Sequence, residues 1–267
     1  MPPSNTAPPA NAVTRSVFDS AAGEYDAARP AYPDGLFAEL AGRTGPLAGL
    51  LTLDCGAGTG IASRQLAAHG ARVVSLDIGE RMLAKARARN PQSACVLADG
   101  NQMPARRAVA DVVTFAQSWH WFDQRKAAAE VARVLKPGGH WAAWWNRVHA
   151  EDETWFTEYE DLVMAACPGY GAQRLRDEHL APDWTDEAVA AQGRMEPAGT
   201  AVVPWTRLVS AAGWITGERS KSYFIELEPD VREAVLDRAA KIIAGRFPDG
   251  HMTVGYVTRL VLARKAA

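Results

Sequence analysis

Cysteine is scarce in this chain. Cys55, Cys95 and Cys167 lie far apart and form no CxxC pair, and an odd total of 3 suits free thiols better than a disulfide framework. Free thiols in a reducing cytoplasm are the expectation, with no structural zinc and no metal implied. Long apolar runs are missing too: none approaches the roughly 18 residues of a membrane span, so no membrane partner is expected. Charge of one sign does not dominate, with 29 Lys and Arg against 31 Asp and Glu. The absence of a basic run that would track a phosphate backbone argues against a nucleic-acid partner. Residues 1–14, MPPSNTAPPANAVT, have neither a basic start nor an apolar stretch of signal-peptide length, and are expected to form a loose arm.

What is present is enough apolar material, 48% of 267 residues, for one sizeable core. Val17, Phe18, Ala21, Ala22 and Tyr25 recur at helical spacing up to Arg29-Pro30, and a second short helix is expected after Tyr32-Pro33. From Leu50 short apolar runs alternate with helical segments, the pattern of a parallel sheet with crossover helices. Strands are expected over 50–55, 71–77, 94–98, 111–116 and 140–145. Ala128, Val131, Ala132 and Leu135 mark a helix that Lys136-Pro137-Gly138-Gly139 stops. Phe156, Tyr159, Val163 and Ala166 then lie on one face of an amphipathic helix with no evident strand until about Ala198. Strands at 200–203 and 254–263, with helices at 206–212 and 229–244, complete the pattern. The expected fold is α/β, a doubly wound, mostly parallel seven-stranded sheet with a helical cap insertion. Its parts are the arm at 1–14, N-terminal helices at 15–45, the core at 46–147, the cap at 148–197, and completing strands and helices at 198–267.

Leu51-Thr52-Leu53-Asp54-Cys55-Gly56-Ala57-Gly58-Thr59-Gly60 places three glycines between an expected strand and an expected helix, where backbone can approach a ligand closely. Asp77 ends the next expected strand, either to accept hydrogen bonds from ribose hydroxyls or to cap a helix. A dinucleotide fingerprint needs glycine at position 61, which is Ile61 here. The pattern D-x-G-x-G-x-G resembles instead the class I S-adenosylmethionine (SAM)-dependent methyltransferases, and SAM is the cofactor this implies. The resemblance makes Asp54 the acid that orients the methionine ammonium through the loop, directly or through water, beside Gly56, Gly58 and Gly60. It assigns Asp99 and Gly100 of Ala98-Asp99-Gly100 to the adenine contact, flanked by Ile78 and Met82. Asp111-Val112-Val113 and Leu135-Lys136-Pro137-Gly138-Gly139 continue it.

A narrower resemblance, to the small-molecule branch of trans-aconitate methyltransferase-like and natural-product methyltransferases, is carried by Phe18-Asp19, Tyr25, Arg29-Pro30, Tyr32-Pro33 and Gln117-Ser118-Trp119-His120-Trp121-Phe122-Asp123. It implies that the N-terminal helices form a lid. Tyr25 and Arg29 then share a helical face, and the guanidinium suits a carboxylate such as the methionine one; a surface arginine and a core tyrosine are the alternative.

Ligands of doubly wound sheets lie beyond the carboxyl ends of the strands, so the aromatic loop after the fourth strand should face the transferable methyl. Gln117 belongs to the expected cofactor set, and Trp119, Trp121, Phe122 and Trp145 to the expected acceptor wall. Trp141, Trp144 and Trp145, on an expected buried strand, read first as core and secondly as further aromatic surface for the site. His120 is the candidate general base, with an adenine-shelf or positioning role as the alternative, and Asp123 is placed to cap a helix. The expected activity is methyl transfer to a small, heteroaromatic metabolite of indole or phenol type, in specialised metabolism. Carboxyl O-methylation of a small acid is the alternative, to be favoured by a cluster of pocket arginines. A non-catalytic SAM-binding module is a further one. The sequence does not give the acceptor atom or the oligomeric state.

Overall fold

The computed structural model describes residues 29–150, 153–171, 188–192 and 194–267. The arm, the helix expected over residues 17–25, Tyr25 itself and part of the expected cap lie outside the described residues.

Seven strands form one sheet in the order β3-β2-β1-β4-β5-β7-β6. They are β1 (Leu51–Cys55), β2 (Arg72–Asp77), β3 (Ala94–Leu97), β4 (Ala110–Ala116), β5 (Leu135–Val148), β6 (Met195–Ser210) and β7 (His251–Lys265). The first five are parallel, whereas β7 runs antiparallel to both β5 and β6. Strand order reverses between β1 and β4, which places the ligand-binding crevice at the carboxyl end of β1.

Alternation along β5 sorts the tryptophans. Trp141 and Trp145 join a core with Phe115, Trp119 and helix α4 (Gln124–Val134), while Trp144 enters a second core on the opposite face with α1 (Asp34–Thr44) and α2 (Ile61–Ala68). The short helix expected after Pro33 is therefore α1, which buries Leu36, Phe37 and Leu40. Helix α3 (Glu80–Arg89) links β2 to β3. The Asp123 side chain caps α4 by accepting from the Lys126 N–H at 3.2 Å.

The C-terminal third departs from expectation. The strand expected at 200–203 spans all of β6, and the helix expected at 206–212 is still strand up to Ser210. Trp205, Arg207 and Val209 are more covered than Thr206, Leu208 and Ser210, the period-2 pattern of a strand. Ser210 then starts α6 (Ala211–Arg219), its Oγ accepting from the Gly213 N–H at 3.0 Å. Pro197 and Pro204 disguised β6; both sit on an edge strand, where a missing N–H need not break the ladder.

The last β5–β7 pair is Val148 with Tyr256, but the β6–β7 ribbon continues to Ser210 with His251. The extension rises about 17 Å past the sheet, at roughly 3.3 Å per residue. A third core packs on it, joining α5 (Thr154–Ala166), α6, α7 (Ser222–Ile225) and α8 (Pro229–Arg246) to Val209, Met252, Val254 and Tyr256. Among the described residues, the helical layer above the ligand end thus draws on α6, α7 and α8 as well as on α5 from the segment expected as the cap.

Candidate active site

The glycine turn follows directly from β1. Gly56, Gly58 and Gly60 have φ of 67°, 56° and 78°, a region that side chains with a Cβ rarely adopt. A Cβ on Gly56 would meet the Ser118 Cβ at 2.6 Å, whereas above Gly58 nothing lies within 4 Å. The turn therefore presents bare backbone to open space. The Gly56 and Ala57 N–H groups donate to the Leu76 carbonyl, and Gly58 N–H donates to Asp77 Oδ2 at 2.8 Å. Asp77 Oδ1 accepts from Gly79 N–H at 2.7 Å, just before α3. The Asp77 side chain therefore closes a tight turn just before α3 without capping it, since the N-cap is Gly79 with no side-chain cap bond, and the half-buried carboxylate clamps the glycine turn.

Asp54 lies beneath this turn with no exposure. Its carboxylate accepts from Ser63 Oγ at 2.5 Å and Thr114 Oγ1 at 2.9 Å, and Ser75 Oγ donates to Ser63 Oγ at 2.8 Å. Burial pushes its pKa up to about 6, against the pull of the Ser63 and Thr114 hydrogen bonds. The carboxylate thereby ties β1 to Ser63 of α2 and Thr114 of β4 below the turn. Across the crevice Asp99 is exposed and accepts from the backbone and side chain of Asn101. Ile78 is 45% exposed, while Met82 is buried, so Ile78 supplies the accessible apolar surface of that pair. Bare glycine backbone, a half-buried carboxylate at a strand end and an apolar shelf suit an adenosyl ligand with an amino-acid tail.

The aromatic loop divides. Trp119 is fully buried between Phe115 and Trp141, with ring centroids 4.6 and 5.1 Å away, because the 3-10 turn Trp119–Trp121 points it back under the sheet. Phe122 fills the gap between the two halves of the cofactor crevice: a Cβ on Gly100 would meet its Cε1 at 2.5 Å, and one on Gly56 its Cε2 at 3.5 Å. Trp121 is half-buried against His120, 4.7 Å between rings. None of these three lines the large cavity beside the crevice. Trp145 does, and so do Gln117, His120 and Arg29. Gln117 holds φ of 58°, uncommon for a residue with a side chain, while its N–H donates to the Trp144 carbonyl. Trp145 Nε1 donates to His120 Nδ1 at 3.3 Å.

The cavity, about 360 Å³, lies between the strand ends and the helical layer. Sequence reasoning missed most of its polar wall. Arg147, Arg207 and Arg259 come from β5, β6 and β7, and Lys221, Glu160 and Glu218 from the helical layer. Glu218 is buried, and its carboxylate accepts from the hydroxyls of Tyr159 and Tyr223 while pairing with Lys221 at 2.7 Å. Burial, and then the Glu218 charge, push both phenols well above their ordinary range, so they remain donors. Lys221 Nζ also lies 5.9 and 5.8 Å from the Trp214 and Tyr223 ring centroids, so the protein's own cation faces these aromatic rings.

Residues 53–143 match the family model described as a methyltransferase domain. An uncharacterized methyltransferase of Mycobacterium tuberculosis is 33% identical over 227 residues, 85% of this chain and 85% of that protein. The chain is a class I SAM-dependent methyltransferase. This methyltransferase is also similar to the malonyl-[acyl-carrier protein] O-methyltransferase of Serratia marcescens, 38% identical over 46% of this chain and 49% of that one. Its fold matches a protein solved as a candidate type II methyltransferase from Anaeromyxobacter dehalogenans, with TM-score 0.60 and 23% identity over 89% of this chain and 97% of that one. It also matches a SAM complex of phosphoethanolamine N-methyltransferase 2 from Haemonchus contortus, with TM-score 0.55 and 18% identity over 98% of this chain and 62% of that one. No described helix of the methyltransferase is long and apolar enough to cross a membrane.

Proposed function

We propose that this methyltransferase acts on a small acid, methylating its carboxylate, and that the cation-rich cavity carries the specificity. The carrying observation is the composition of the wall among the described residues, which brings Arg29, Arg147, Arg207, Arg259 and Lys221 to one cavity with the carboxylates Glu160 and Glu218, the latter paired with Lys221. In a partly desolvated site, guanidinium groups favour carboxylates by charge-assisted hydrogen bonding. The acid replaces the heteroaromatic acceptor expected from the tryptophan-rich loop, because Trp119 is core and Trp121 and Phe122 lie off the cavity. The trans-aconitate-like resemblance of the Gln117–Asp123 loop supports the same direction.

Bound SAM would supply an electrophilic methyl on a sulfonium, open to in-line displacement by a nucleophile opposite the sulfur. The protein's residues hold and align. Asp77 and the glycine backbone seat the adenosyl moiety, with Asp99, Gly100 and Ile78 at its base. Gln117 and His120 stand at the junction of crevice and cavity, and the arginines orient the acceptor. A carboxylate is already ionised at neutral pH, so its oxygen needs no base, and alignment with exclusion of water is the main contribution. The cationic wall prefers the charged acid over its neutral ester, which favours product release.

Methyl transfer from labelled SAM to panels of small mono- and dicarboxylic acids, indoles, phenols and amines tests this. Turnover confined to the acids, with a base-labile methyl in the product, is the expected result. Turnover of indoles or phenols with none of the acids would sink the proposal.

A further inference from the structure

His120 reaches the cavity from the loop after β4, and its ring is held on two sides. Trp121 packs against it with the rings tilted by 45°, and the indole of Trp145, on the neighbouring strand β5, donates to Nδ1. An indole Nε1–H is only ever a donor, and so the nitrogen it meets must present a lone pair. Neutral imidazole has one protonated and one unprotonated nitrogen. With Nδ1 engaged as acceptor, the proton sits on Nε2 and no lone pair remains for a substrate proton.

We propose that Trp145 is a positioning residue that fixes His120 as the Nε2–H tautomer, making His120 a hydrogen-bond donor to the acceptor rather than a general base. Taking a proton would require breaking the Trp145 bond and leaving an indole N–H unpaired in a residue only 6% exposed. The consequence for chemistry rests on the small-acid reading: an acidic acceptor needs a donor to hold one oxygen while the other attacks, and has no proton to give up. The tautomer itself stands on the bond alone.

The test uses the full-length protein with uniformly 15N-labelled histidine and bound S-adenosylhomocysteine, without any acceptor, at mildly alkaline pH. The His120 resonances are identified by their loss in His120→Gln. Long-range proton–nitrogen correlation should show Nε2 protonated and Nδ1 unprotonated, and Trp145→Phe, which keeps a ring but removes the donor, should populate the Nδ1–H form. A wild-type spectrum with Nδ1 protonated overturns the proposal. So does a Trp145→Phe spectrum with the wild-type tautomer unchanged. The Trp145 indole proton offers a readout that does not depend on that variant folding: in His120→Ala its exchange with solvent should quicken at least about tenfold. Unchanged exchange there would remove the bond, and with it the proposal. Because no acceptor is present, a negative screen for acid methylation leaves these outcomes intact, and the reverse also holds.

Discussion

Asp54 and Asp77 are both carboxylates at strand ends, yet burial gives them different work. Asp54 has a folded-state pKa raised from 3.8 to about 6 by desolvation, so the folded chain holds its proton more tightly than the unfolded chain. Its stabilising contribution is full below the unfolded value and is lost as pH rises through the folded one. Two units correspond to about 3 kcal/mol at most. Urea unfolding of Asp54→Asn and the parent, compared near pH 4 and near pH 7, should show the variant gaining relative stability at the higher pH by an amount of that order. A difference independent of pH would mean that Asp54 titrates normally in the fold. Asp77→Ala should weaken S-adenosylhomocysteine binding by about 1–3 kcal/mol in titration calorimetry, through lost charge-assisted hydrogen bonds and a released Gly58 N–H. Unchanged affinity would reduce Asp77 to a brace of the two turns at Gly58 and Gly79.

Between elements, the glycine turn after β1 and the loop after β4 behave as one unit. Ser118 Oγ donates to the Cys55 carbonyl at 2.6 Å, and Phe122 packs under both Gly56 and Gly100. A methyl at position 100 must push that ring, 5.2 Å from Phe115, towards the glycine turn. Gly100→Ala should therefore lower S-adenosylhomocysteine affinity about tenfold or more, and Phe122→Leu in the same chain should recover part of it, a coupling typical of touching residues. Strictly additive losses would separate the two loops. At this scale the sequence was readable where local chemistry decides: the glycine turn, the Asp123 cap and the first four parallel strands follow from spacing and turn residues, whereas β5 starts at Leu135 and takes in the Lys136–Gly139 segment expected as a turn. β6 was not readable, because whether Pro197 and Pro204 are tolerable depends on lying at the sheet edge, which is a property of the sheet.

At the scale of the molecule, the three cores hold a sheet, and a helical layer above its carboxyl end, around one cation-rich cavity. If that cavity selects an acid, Arg207→Gln should raise KM for the acid by about tenfold or more while S-adenosylhomocysteine affinity stays near the parental value, since a hydrogen bond to a charged group contributes about 1.5–3 kcal/mol. Added salt should raise the parental KM in the same direction. An equal fall in cofactor affinity would place Arg207 in the crevice instead. The sequence by itself determined the α/β class, the glycine turn and its acids, and the loop bearing His120, because each depends on residues close together along the chain. The tertiary structure decided which ring of that loop is core and which nitrogen of His120 is engaged, since the 3-10 turn and the register of β5 against β4 set side-chain direction. It also assembled the cavity's charge. Arg147, Arg207 and Arg259 lie on three strands far apart in the chain, and only the antiparallel pairing of Arg147 with Val257, Arg207 with Val254 and Trp145 with Arg259 brings them to one wall.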